Sequence, residues 1–152
     1  MNRKYTISQF DKLYCDFLDI DNPQKLSDLL CINVSDLIKH IRYQAYKSFP
    51  VKHGKKRRII VEPNQELKQI QRRLNNYLQA VYYSYKPDSV HGFVKCPSNS
   101  KEKYSILSNA SQHVKKPYVI NADIFRFFPS ITGKMVKNVF IKKPFYFDDN
   151  LV

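Results

Sequence analysis

Acidic residues are scarce: 13 Asp and Glu stand against 26 Lys and Arg, a net charge of +13 over 152 residues. So lopsided a charge favours a polyanionic partner, and nucleic acid is the first candidate. Charge alone does not separate an enzyme from a passive binder. Long apolar runs are missing too. Nothing approaches the ~20 residues of a membrane span, and the opening MNRKYTISQFDK has no apolar signal-peptide core. A cytoplasmic protein is therefore expected, with no membrane partner. A membrane-surface role is disfavoured because the cations do not gather on one long amphipathic helix. Cysteine is limited to Cys15, Cys31 and Cys96, no two at metal-ligand spacing, so reduced thiols are expected in place of a disulfide frame or zinc site. Repeats and low-complexity tracts are absent. What remains is 43% hydrophobic, enough for a folded domain with its own core.

Asn22-Pro23 suits a helix start, and Leu26, Leu29 and Leu30 give an apolar face, so short helices are expected over 7–19 and 23–31. Ser35 is the expected cap of a third helix, in which Leu37, Ile38, Ile41 and Ala45 recur at helical spacing. Phe49 and Val51 alternate with Pro50 and Lys52, His53-Gly54 turns, and Arg57, Ile59 and Val61 alternate with Arg58, Ile60 and Glu62. That pattern predicts a β-hairpin. Pro63-Asn64 opens the strongest helix, with Leu67, Ile70, Leu74, Leu78 and Val81 on one face and Lys68, Arg72 and Arg73 off it. Pro87-Asp88 stops it. A polar loop over 95–103, a short helix over 105–114, a buried strand at 118–120 leading into Asp123, and a last helix from about Gly133 to Ile141 complete the reading. The class is α/β in the broad sense, α+β in detail.

Three constellations carry chemistry. Lys52, Lys55, Lys56, Arg57 and Arg58 crowd the hairpin tip, where alternate side chains share a face and the cations could meet a triphosphate or a template backbone. A solvated basic turn would have the same spacing. Next, His91-Gly92-Phe93 precedes Ser105, Asn109-Ala110 and His113. Gly92 allows close backbone approach to a ligand, although a turn glycine and ordinary helix polar residues fit equally. Third, Asp123 ends an apolar run and is followed by Ile124, Phe125, Arg126, Phe127, Phe128, Pro129 and Ser130. A buried carboxylate needs a partner or a metal, which makes Asp123 a candidate magnesium ligand; a turn or helix cap is the competing use.

In this order and rough spacing the three resemble the reverse transcriptases of the bacterial retron and group II intron type. The basic hairpin, Pro63 and the LKQIQRRL helix start resemble the first fingers motif. His91-Gly92-Phe93 through His113 resembles the second. Asn121-Ala122-Asp123 through Ile131 resembles the palm motif with the first catalytic aspartate, and residues 26–51 resemble the helical start of retron enzymes. The resemblance implies an RNA-directed DNA polymerase with fingers and the first strand of a right-hand palm. It implies two-metal phosphoryl transfer with Mg2+. Asp123 and the carbonyl of Ile124 would serve the metal. Lys52, Arg57 and the backbone at Arg126 and Phe127 would hold the incoming deoxynucleoside triphosphate, with Phe128 as steric gate against a ribose 2′-hydroxyl. Lys55, Lys56, Arg58, Lys68, Arg72, Arg73 and Gly92 would contact RNA template and primer. A cognate structured RNA, a role in phage defence and an effector protein are further implications of the retron branch. Arg126 stands where relatives often carry Asp, and the stretch between Gly92 and Ser105 is longer than usual.

The family also needs two aspartates on a Tyr-x-Asp-Asp hairpin far downstream. Tyr146-Phe147-Asp148-Asp149 has the letters, but it follows Asp123 closely and lacks an apolar strand after it. It resembles the linker into the next palm helix, where acidic residues favour the helix N-terminus. The expected organisation is an N-terminal helical segment over 1–47, fingers over 48–116 and a truncated palm from 117 to 152. The lone palm strand is expected to be an exposed edge of marginal stability. A polymerase fragment inactive alone is the leading expectation, and a non-catalytic basic RNA-binding module or remnant is the alternative.

Overall fold

Local capping signals set the helix boundaries in the computed structural model, which describes residues 5–43, 45–54, 56–149 and 151. Thr6 and Gln9 form a reciprocal capping box at the start of α1 (Ile7–Leu18), satisfying donors that a helix N-terminus leaves open. Asn22 accepts from the Lys25 N–H, and Pro23 takes the first position of α2 (Pro23–Leu30), where a missing N–H removes no helix bond. α3 (Val34–Arg42) is capped by Asn33, not by Ser35 as the sequence suggested. The Asn33 side-chain oxygen accepts from the Asp36 N–H at 2.8 Å, and its amide donates to the Asp36 carboxylate at 2.6 Å. Ile32, just before the cap, packs in the same cluster as Leu37 in the first turns. This hydrophobic staple fixes how the chain enters the helix, and Ser35 is left donating to the Asn33 oxygen.

The hairpin forms as expected: β1 (Tyr46–His53) pairs antiparallel with β2 (Lys56–Pro63). Gly54 supplies φ +61 at the turn, a conformation that tight hairpin turns demand and side chains resist. The Asn64 N–H returns to the Ala45 carbonyl, and its side chain accepts from the Leu67 N–H. One residue thus closes the hairpin and opens α4 (Gln65–Tyr85). Beyond it lie α5 (Ile106–Ser111), the single turn α6 (Phe127–Ser130) and α7 (Gly133–Phe140). Helices with one two-stranded sheet among the described residues make the architecture α+β.

The strand expected at 118–120 does not form. Residues 118–124 have no regular structure, and Tyr118 and Ile120 are 89% and 90% exposed. A strand is stable only when a ladder receives its N–H and C=O groups. Among the described residues, the only sheet is the hairpin, whose two strands pair with each other.

The chain falls into two compact units, Asn22–Asn76 and Met1–Asp21 with Tyr77–Val152. The first buries Leu30, Leu37 and Ile70, with Leu26, Ile32 and Leu74 packed against them. Its buried Ser27 hydroxyl donates to the Ile32 carbonyl. The second buries Phe10, Phe17, Ile20, Ala80 and Val81. Phe17 meets Tyr77, Phe145 and Phe147, and Phe140 stacks on Phe147. In the same unit the hydroxyls of Tyr14 and Tyr85 lie 3.1 Å apart. That hydrogen bond, with burial and the neighbouring phenol, pushes Tyr14 up to about 12. No described helix is long and apolar enough to cross a membrane.

Candidate nucleic-acid and nucleotide interface

Strand register decides which hairpin cations act together. Lys52 stands directly opposite Arg57, and Val51 stands opposite Arg58. Since side chains alternate across a strand, Lys52 and Arg57 share one face and Arg58 occupies the other. Neither Lys52 nor Arg57 has an ion-pair partner among the described residues. Two like charges facing each other across strands repel, a repulsion that an anion seated between them would relieve. Lys55 lies outside the described residues, and Lys56 is placed by register only, opposite His53.

The cations of α4 are not equivalent. Lys68 pairs with the Glu62 carboxylate at the end of β2, and that hydrogen bond and charge hold the Glu62 carboxyl below its usual range. Arg73 turns inward: its guanidinium donates to the carbonyls of Leu30 at 2.6 Å and Cys31 at 3.0 Å. These carbonyls end α2, where Cys31 sits in the left-handed region at φ 49. Arg72 is exposed and makes no ion pair among the described residues. Of the three, Arg72 is therefore the one whose side chain is exposed and outside any ion pair among the described residues. Arg73→Ala is expected to cost about 1.5–3 kcal/mol of stability, the range for hydrogen bonds to a charged group. Urea unfolding checks it; a change in RNA affinity with unaltered unfolding would make Arg73 a surface contact after all.

In the other unit, the His91 Nδ1 lies 2.9 Å from the Ser108 hydroxyl. Ser108 also belongs to the Ser105 capping box that starts α5. The His91 Nε2 is buried with no hydrogen-bond partner among the described residues. The space over Gly92 is open, since a Cβ there would meet nothing within 4 Å. Positive φ falls instead on Phe93. Gln79, on α4, reaches this loop with its side-chain amide. Neither Gln79 nor the exposure of Phe93 was singled out by the sequence; the helical apolar stripe says nothing of a polar side chain bridging to a distant loop.

Asp123 sits in the exposed segment after 118–120. Its candidacy as a metal ligand rested on the difficulty of burying a carboxylate, and in solvent that difficulty vanishes. Among the described residues no three His, Cys, Asp or Glu side chains gather to hold a metal. The donor set present does not fit a two-magnesium centre. Ile124 and Phe128 are exposed, Arg126 takes φ 52 with its guanidinium 6.0 Å from the Phe125 ring, and Phe127 meets Phe128 edge-on. Among the described residues, Tyr146-Phe147-Asp148-Asp149 is flanked by no strand. Phe147 packs among aromatics, and the Asp149 carboxylate pairs with Lys137 at 3.2 Å.

A 99-residue stretch, 63% of the chain, is 38% identical to the retron Se72 reverse transcriptase of Salmonella heidelberg (strain 579083-10), covering 24% of that protein. A 100-residue stretch, 65% of the chain, is 36% identical to the retron Ec86 reverse transcriptase of Escherichia coli, covering 28% of it. The chain is thus related to retron reverse transcriptases and matches about a quarter of the length of these relatives. No family model matches it, and no solved structure matches it significantly.

Proposed function

We propose that this chain carries the template- and nucleotide-gripping fingers of a retron-type reverse transcriptase, an RNA-directed DNA polymerase. The observation that carries the reading is its identity to two retron reverse transcriptases. The unpartnered Lys52–Arg57 pair supports it physically, because a shared cationic face suits a triphosphate or a strand of phosphates. RNA template and primer and deoxynucleoside triphosphates are the partners, in a cytoplasmic setting; a cognate structured RNA, an effector protein and phage defence follow from the same reading. In it, Asp123 and the Ile124 carbonyl stand at the positions of the family's Mg2+ ligands, although the donors gathered here do not by themselves make a Mg2+ site; the backbone of Arg126 and Phe127 is the triphosphate cradle, and Phe128 the sugar gate. Gly92, Lys55, Lys56, Arg58, Lys68 and Arg72 line the nucleic acid. No chemical step is assigned to these residues alone, because among the described residues no cluster of three metal-ligating side chains includes Asp123.

That isolation favours a second reading, a non-catalytic RNA-binding module. Primer extension on an RNA template, run beside RNA and deoxynucleotide binding, separates the two. The expected result is salt-sensitive RNA binding, measurable deoxynucleotide binding, and no extension by either the chain or Asp123→Ala. RNA binding without deoxynucleotide binding favours the module. Extension that disappears in Asp123→Ala would mean that Asp148 and Asp149 complete a metal site, and absence of RNA binding would sink both readings.

A further inference from the structure

One aromatic ring is held almost wholly in solvent. Phe93 is 98% exposed, and its backbone takes φ +59, the left-handed region that a bulky side chain resists. Gly92, which could adopt that conformation freely, precedes it and does not. The turn is therefore not built to minimise strain; strain of this kind persists only where the surroundings impose it. Gln79 imposes it. Its side-chain amide donates to the Phe93 carbonyl at 3.0 Å, and its side-chain oxygen accepts from the Lys95 N–H at 2.8 Å. This two-point clamp fixes the loop backbone around Phe93 to α4. On the preceding side His91 is tied to Ser108 at 2.9 Å. The ring stands on a loop anchored before and after it, and no other aromatic ring among the described residues stacks on it.

A phenyl ring left in water forgoes the free energy of burial, so fixed exposure points to an occupant that arrives later. Net charge +13 favours a polyanion that carries apolar faces of its own. The open space over Gly92, with nothing within 4 Å of a notional Cβ, leaves room for a sugar–phosphate beside the ring. We infer that Phe93 is a stacking platform for an unpaired nucleobase of a single strand, held ready by Gln79. Stacking on an accessible aromatic ring tolerates every base, because each has a π-face. The inference rests on the reading that the chain binds RNA.

The chain contains no tryptophan, so Phe93→Trp places its single indole at the platform. The probes are oligoadenylate and an abasic strand of equal length and charge. Indole emission is expected to be quenched by oligoadenylate and not by the abasic strand. Phe93→Ala is expected to bind oligoadenylate roughly 5- to 150-fold more weakly, the range for one stacked base, and the abasic strand as the wild type does. Phe93→Tyr is expected to restore binding. Oligoadenylate binding unchanged in Phe93→Ala would overturn the platform and leave the RNA-binding reading standing. Failure of the wild type to bind either strand would sink that reading and the platform with it. A concentration-dependent blue shift without nucleic acid would instead make Phe93 a contact between copies of this chain.

Discussion

Phe17→Ala is expected to lower the stability of the unit that contains it by about 3–5 kcal/mol, the range for a buried phenylalanine reduced to a methyl group. Phe17 is 2% exposed. Its ring lies 5.8 Å from Tyr77, 6.0 Å from Phe145 and 5.6 Å from Phe147. Removing it leaves a void lined by rings that belong to two separate stretches of chain, and such rings relax poorly into each other's space. A domain holds only about 5–15 kcal/mol in total, and few side chains are buried beside Phe17 in this unit. The loss is therefore a large share of what holds it together. Phe128→Ala is the control: that ring is 81% exposed and its loss should fall within about 0.5 kcal/mol. Urea unfolding followed by tyrosine fluorescence reads both. Equal midpoints for the two variants would mean that the aromatic cluster is not the core of the unit.

The same contrast explains what was legible in the sequence. Features decided within a few residues were readable: Asn22-Pro23 starts α2, Gly54 turns the hairpin, and Asn64 opens α4. Ser35 was misjudged because two capping residues compete within one turn, and the staple between Ile32 and Leu37 decides for Asn33. Features decided across the chain were not readable. The apolar run at 118–120 has strand composition, but its fate depends on a partner strand that composition cannot supply. Phe17, Phe145 and Phe147 give no local sign that they meet. At the candidate interface, the sequence showed how many cations crowd the hairpin and α4 but not their separate fates. Register placed Lys52 with Arg57, while Lys68 went to Glu62 and Arg73 to the carbonyls that end α2.

Lys52→Gln combined with Arg57→Gln is expected to weaken single-stranded RNA binding about 25-fold at 0.1 M salt and hardly at all near 1 M. Each phosphate contact on a single strand contributes about −0.7 to the slope of log affinity against log salt, so losing both should flatten that slope by about 1.4. The double variant should not lose stability. Lys52 and Arg57 face each other across the hairpin with no carboxylate between them, and relieving like charges opposite one another is worth roughly 0.2–1 kcal/mol in favour of the fold. Weaker binding with equal or higher stability is the signature of a site kept for a ligand, since a structural pair would lose both together. Lys68→Gln should differ, because it breaks the ion pair to Glu62. Arg58→Gln removes one charge from the opposite hairpin face, across from Val51, and is expected to change the slope by less than half as much. A loss per charge from Arg58→Gln as large as that from the pair would mean that charge number, and not the face, governs binding. Unchanged affinity and slope in the double variant would take the hairpin out of the RNA site altogether.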